Sequence, residues 1–249
     1  MTEAVYHSPE EDQHIPKTTP QGSDVLLAAL ASITRASKLR GLTFGNRIDT
    51  LLSDTGLSQR TMTFVYGKHA DSMMNILCGN AVRVFGRAIF IDAANSFDPY
   101  LIIERCAPKK SEAAARKFIE SITIFRAFTC YQLRRLVSKE LEKEIAGSRD
   151  DDKKIRAVFV SGIGSVFNEQ DNTKAETERL QLLMASSLRR VASDRRSSVL
   201  FVVASSNSRA EHFVAKSDTA IKLYEEKSKG GVKAILMKHH ARQFAVIDL

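Results

Sequence analysis

The sequence predicts an α/β protein with a mainly parallel central sheet, helices flanking it on both faces, and antiparallel strands at its C-terminal edge. Three observations carry this. Short apolar runs alternate with stretches of helical periodicity from Ser23 onward. Runs such as Arg87–Asp92 and Val199–Ala204 are apolar enough to be buried on both faces, as parallel strands are. The last strong runs, Ala220–Tyr224 and Val232–His239, are joined only by Glu225–Gly231 and read as an antiparallel pair.

The first candidate element is a helix. Val25, Leu26, Ala29, Leu30 and Ile33 fall at helical spacing after a Ser23-Asp24 cap, and that helix ends in the basic segment Arg35–Arg40. Thr61–Tyr66 reads as a strand, Gly67 opens a loop, and a helix runs from about Ser72 to Phe85. The strand Arg87–Asp92 leads to helices near Pro99–Cys106 and over Ser111–Ser121, and then to a third strand, Ile122–Arg126. Tyr131–Ile145 is an amphipathic helix and Gly147–Lys154 a polar connector. The buried strands Arg156–Ser161 and Val199–Ala204 are separated by a long helix over Ala175–Ala192. Phe244–Ile247 is the last candidate strand.

Composition bounds the function. With 249 residues, 43% hydrophobic and 27% charged, the chain can bury a sizeable core, which excludes collagen-like, disulfide-scaffold and wholly disordered classes. Cys78, Cys106 and Cys130 share no C-x-x-C spacing and cannot all pair, which suits a reducing intracellular setting, cytoplasmic or nuclear. No apolar stretch approaches the length of a membrane span, and the polar, acidic N-terminus does not read as a secretory signal, so no membrane partner is expected. Residues 1–22 carry Glu3, Glu10, Glu11 and Asp12 against Lys17 and are expected to be a disordered acidic tail, leaving 23–249 as one core domain. Most of the net charge of +8 sits from Lys174 onward, where 14 Lys/Arg face 8 Asp/Glu. Such an excess permits DNA as a partner through salt-sensitive, sequence-independent phosphate contacts.

In a sheet of this class ligands bind at the carboxyl ends of the strands, so the first strand-loop-helix unit is the place for a phosphate cradle. Such a cradle needs glycines, a Lys for the β/γ-phosphates and a Ser/Thr hydroxyl for magnesium. The loop Tyr66-Gly67-Lys68-His69-Ala70-Asp71-Ser72-Met73-Met74 supplies Gly67 alone and lacks the Lys-Ser/Thr pair.

Several segments, in order, resemble the core ATPase domain of the RecA/RadA recombinase family. Leu42–Leu52 is similar to that family's "T-G-x-x-x-L-D-x-L-L", and Thr63–Gly67 to "T-E-I-Y-G". Phe90–Pro99 resembles "Y-I-D-T-E-G-T-F-R-P", and Ile124–Leu133 looks like "V-x-R-A-F-x-x-x-H-Q-L". The likeness runs from about Leu39 to Leu249 and implies a RecA-like P-loop NTPase core. It also implies where that family's chemistry would sit, and there this chain departs from it. Met73 and Met74 stand at the phosphate-loop Lys and Thr, Ala94 at the catalytic Glu and Ser161 at the magnesium-associated Asp. Ala204-Ser205-Ser206 replaces the "T-N-Q" sensor, while Asp92 keeps its family position. A thioether cannot neutralise a γ-phosphate, alanine moves no proton, and a serine hydroxyl is a poorer partner for a hard cation than a carboxylate.

The resemblance therefore implies the fold and argues against the activity. The expected function is a catalytically inactive recombinase paralog, a pseudo-ATPase without cofactor. It would assist homologous recombination or DNA repair by binding DNA, a recombinase or another paralog, and a homo-oligomer is a further possibility. Two alternatives stand: an unconventional ATPase using Lys68 as a displaced phosphate-binding lysine together with Asp92, and a protein-interaction scaffold without DNA binding. Against the first, Lys68 also reads as a solvated loop lysine, Asp92 as a hydrogen-bonded strand end, and Met73 and Met74 as packing. His239-His240 point to opposite faces of a strand and do not read as a metal site. The resemblance implies DNA-facing loops at Gly164–Thr177 and Ser206–Lys216, yet these are poor in net positive charge. The candidate DNA contacts are therefore Arg189, Arg190, Arg195, Arg196, Arg209, Lys227, Lys229 and Lys233.

Overall fold

A computed structural model describes residues 57, 59–108, 111–147, 155–167, 173–194, 199–206, 211–226, 231–239 and 245–248. The expected tail, the helix at Val25–Ile33 and the segment Leu42–Leu52 lie outside these residues, as do Arg195, Arg196, Arg209, Lys227 and Lys229.

Eight strands form one sheet: β1 Met62–Gly67, β2 Ala88–Asp92, β3 Ile122–Arg126, β4 Ala157–Ser161, β5 Leu200–Ser205, β6 Thr219–Glu226, β7 Gly231–Lys238 and β8 Ala245–Asp248. Their spatial order is β3-β2-β4-β5-β1-β6-β7-β8. The six strands β3 to β6 in that order are parallel, and β7 and β8 add antiparallel pairs, with a register shift between Ala220 and Ile221. The six parallel strands therefore all end at one edge of the sheet, where a ligand site is expected.

The helices are α1 Ala70–Phe85, α2 Pro99–Cys106, α3 Glu112–Glu120, α5 Lys174–Ala192 and α6 Glu211–Lys216. Between α3 and α5 lies α4, a continuous run of Cys130–Arg135, a π-helical turn Leu136–Glu140 and Leu141–Gly147. The period-2 geometry of strands explains why the central ones read as unbroken apolar runs. In β4, Ala157 and Phe159 join the core under α1 and α2, whereas Val158 and Val160 join the core under α4 and α5. In β5, Leu200 and Val202 face the first core, Phe201 and Val203 the second.

Most expected elements stand within a residue or two. Three differences have local causes. Helix α1 starts at Ala70, two residues before the position read from the sequence, because His69 adopts a left-handed conformation at φ 70° and turns the chain into the helix at once. The amphipathic helix starts at Cys130, capped by the Thr129 hydroxyl that accepts from the Gln132 N–H at 3.2 Å. The segment read as a loop over Ser206–Lys216 contains α6, which buries Phe213 against Phe64 and Phe167.

Candidate functional site

The carboxyl ends of β1, β4 and β2 bring the residues of the expected phosphate site together, with β5 between β1 and β4. At β1, Gly67 sits at φ 104°, and a Cβ there would lie 2.0 Å from the Leu223 carbonyl oxygen on β6, so only glycine fits. The turn beyond Gly67 is no cradle: Lys68 and His69 make all of it before α1 begins. Lys68 forms an ion pair with Glu225 on β6, which draws its ammonium along the sheet surface. That pairing holds the Glu225 carboxyl below the usual range. His69 makes no side-chain cap, its Nε2 is buried without a partner, and burial lowers its pKa.

Met73 and Met74 are fully buried in the core between α1 and the sheet. The register of α1 thus turns both family positions away from the strand ends. The residue that points toward them is Asp71. Its Oδ1 accepts from the Ser161 hydroxyl at 2.8 Å and from the Gly162 N–H at 2.9 Å, bridging 90 residues of sequence. Ser161 is fully buried, and the Ser96 hydroxyl lies 2.8 Å from its Oγ. Either hydroxyl can be the donor in that contact, since Ser161 also donates to Asp71 and Ser96 also donates to Asp92 Oδ1 at 3.4 Å.

The Asp92 carboxylate turns to its own loop. Oδ1 accepts from the Ser96 N–H at 2.8 Å and the Ala94 N–H at 3.3 Å, and Oδ2 from the Phe97 N–H at 3.1 Å. Asn75 on α1 closes the network, donating to the Ser96 carbonyl at 2.8 Å and accepting from the Asp98 N–H at 2.9 Å. Asp98 caps α2 through the Leu101 N–H at 2.9 Å. Ala94 is exposed, and its Cβ fills the space beside Gly162: a Cβ on Gly162, at φ 74°, would lie 2.1 Å from it.

Asp71, Ser161, Ser96, Asp92 and Asn75 thus form a closed polar net over the strand ends. Every hydroxyl and carboxylate in it has a partner inside the protein. Such a net rigidifies the strand ends. The Asp71 carboxylate accepts from the Ser161 hydroxyl, but that hydroxyl is buried out of reach of solvent, so the pair is not presented to a substrate. Among the described residues no group of three His, Cys, Asp or Glu is placed to hold a metal ion. The thiols are no better as nucleophiles: Cys78, Cys106 and Cys130 are buried thiols in no disulfide, and burial pushes Cys106 up to about 11.

The structure brings Gly67, Asp92, Ala94 and Ser161 to one edge, buries Met73 and Met74 behind it, and leads Lys68 off to β6. Sequence reading missed Asp71, Asn75 and Ser96 as site residues. The available signal was Asp71 itself, a carboxylate in a loop where a phosphate binder would carry none.

The described basic candidates are all engaged with acids. Arg189 donates to Asp218 at 2.7 Å, and Asp218 also accepts from the Met62 N–H at 2.8 Å, so this pair pins α5 to β1. Arg190 pairs with Glu142 on α4 at 3.0 Å and Lys233 with Glu226 on β6 at 3.0 Å. No helix among the described residues is long and apolar enough to cross a membrane. Compared with known proteins, the chain matches no family model and no curated protein.

Proposed function

We propose that this chain is a non-catalytic relative of the RecA/RadA recombinases, built on their type of core. On this reading it assists homologous recombination or DNA repair by binding a recombinase, a paralog or DNA, without turning over ATP. One observation carries the loss of catalysis: the Asp71 carboxylate occupies the Ser161 hydroxyl and the Gly162 N–H at the end of β4, two donors that would otherwise be open to a phosphate. An anion approaching there meets a fixed negative charge, and Lys68, the cation of this loop, is held by Glu225. The fold side of the reading is supported by two placements. The Phe90–Pro99 segment forms β2, its loop and the start of α2, and Ile124–Leu133 forms β3 and the start of α4.

Among the described basic candidates, the ion pairs weigh against DNA contact. Arg189, Arg190 and Lys233 would each have to leave an acidic partner to reach a phosphate. The test of the catalytic half is calorimetric titration with ATP and magnesium. No saturable heat is expected at millimolar nucleotide. Saturable binding, with hydrolysis lost on Lys68→Ala or Asp92→Ala, would overturn the proposal in favour of the unconventional ATPase. DNA binding that weakens steeply with salt and on charge reversal at Arg195 and Arg196 would restore the DNA arm.

A further inference from the structure

The chain that leaves β3 and starts α4 presents two aromatic rings to water. Phe128 has 68% of its surface exposed and Tyr131 52%. Ala127, Cys130, Leu133 and Val137 recur at helical spacing and are buried in the core between α4 and the sheet. That pattern turns Phe128, Tyr131, Arg134 and Arg135 outward together, and all four are exposed. Two contacts fix the arrangement. The Gln132 side chain accepts from the Phe128 N–H at 2.8 Å, and the Tyr131 hydroxyl donates to Glu176 on α5 at 3.0 Å.

The surround of the rings is basic. Residues 126–139 hold Arg126, Arg134, Arg135 and Lys139 and no acid. Three acids approach from elsewhere: Glu140 pairs with Arg135 at 3.4 Å, Glu176 takes the Tyr131 hydroxyl, and Asp92 is the register neighbour of Arg126 on β2. Asp92 is buried and spends both carboxylate oxygens on its own loop. Arg179, one turn beyond Glu176 on α5, adds a fifth exposed cation. Five cations against three acids leave +2, and Arg126, Arg134 and Lys139 have no acidic partner among the described residues. The exposed positions that follow the rings, Gln132, Arg134 and Arg135, are polar, whereas the centre of a protein interface is apolar and poor in charge. Rings with cations at their sides suit unpaired nucleotides: bases stack on the rings, phosphates meet the guanidinium groups, and neither contact demands a sequence. A duplex keeps its bases stacked inside and could use the cations alone.

We propose that the exposed face of residues 126–135 is a platform for single-stranded DNA, with bases stacked on Phe128 and Tyr131 and phosphates on Arg126 and Arg134. The inference rests on the DNA arm of the reading above and gives it a surface other than the ion-paired Arg189, Arg190 and Lys233. It is independent of the nucleotide site.

Fluorescence anisotropy of labelled oligo(dT), titrated with the full chain, tests it. Saturable binding is expected, with a duplex of the same length at least about 10-fold weaker. Phe128→Leu and Tyr131→Leu, at exposed positions that leave the core intact, should each weaken binding by about 5- to 150-fold through the lost stacking. Tyr131→Phe keeps the ring while giving up the bond to Glu176, and should stay within about 2-fold of wild type. Arg126→Gln with Arg134→Gln should lower the slope of log K against log salt by about 1.4, two single-strand phosphates. Tyr100→Leu, at an exposed aromatic on α2, should bind as wild type does. No saturable binding of oligo(dT), equal binding of the duplex, or affinity indifferent to both ring-to-leucine variants overturns the proposal. Binding that responds only to charge reversal at Arg195 and Arg196 also overturns it while leaving the DNA arm standing. So does a dimer mass in light scattering that is lost on Phe128→Leu, which would assign the rings to a second copy.

Discussion

Asp71→Ala removes the one acceptor that holds the end of β4 to α1. Two donors then lose their partner: the Ser161 hydroxyl, fully buried, and the Gly162 N–H. Hydrogen bonds to a charged group contribute about 1.5–3 kcal/mol each, and an orphaned buried donor costs about 1–3 kcal/mol. Two effects reduce the sum. Asp71 itself is only half-buried, so water reaches the vacated space, and Ser161 can turn its proton to Ser96. A loss of about 2–4 kcal/mol is therefore expected, a fall in Tm of roughly 4–16 °C for a domain of this size. Asp71→Asn keeps an acceptor oxygen and should lose about 1 kcal/mol. Urea unfolding followed by circular dichroism reads both, with the midpoint moving and the slope unchanged. If Asp71→Ala lies within about 0.5 kcal/mol of wild type, the net is not what closes this edge, and the reasoning fails.

Two further predictions concern pH. Lys68 holds the Glu225 carboxyl below its ordinary value in the folded protein, so the unfolded chain binds this proton first as pH falls. The pair's contribution is present above about pH 4.5 and lost as pH drops through the lower folded value, and Lys68→Met should flatten the stability profile in that window and nowhere else. His69 acts in the same direction at higher pH: its folded pKa lies below 6.5 through burial, so protonation favours the unfolded chain as pH falls below about 6.5. His69→Asn, which tolerates φ 70° as histidine does, should remove that acid-side loss while changing neutral-pH stability by less than about 0.5 kcal/mol. Thermal melts from about pH 2 to 8 check both, and an unchanged profile in either variant refutes the assignment.

The fold was legible because its signals are local. Arg87–Asp92 and Val199–Ala204 read as buried strands since both their faces meet helices, and that leaves no polar alternation. The short α6 was not legible, because six residues carry too little periodicity, and Phe213 is decisive only once Phe64 and Phe167 are beside it. At the site, the lack of a Lys-Ser/Thr pair was visible in Met73 and Met74, but what stands at the strand ends was not. Asp71 and Ser161 are 90 residues apart, and no spacing rule connects them.

The sequence by itself therefore determined the order and type of most elements and the lack of a Lys-Ser/Thr pair after the first described strand, since periodicity and residue identity are properties of short windows. Only the tertiary structure decided that the strand ends are closed by Asp71 and that Lys68, Arg189, Arg190 and Lys233 have acidic partners. These are contacts between segments far apart in the chain, and they exist only once the parallel strands have brought their ends to one edge.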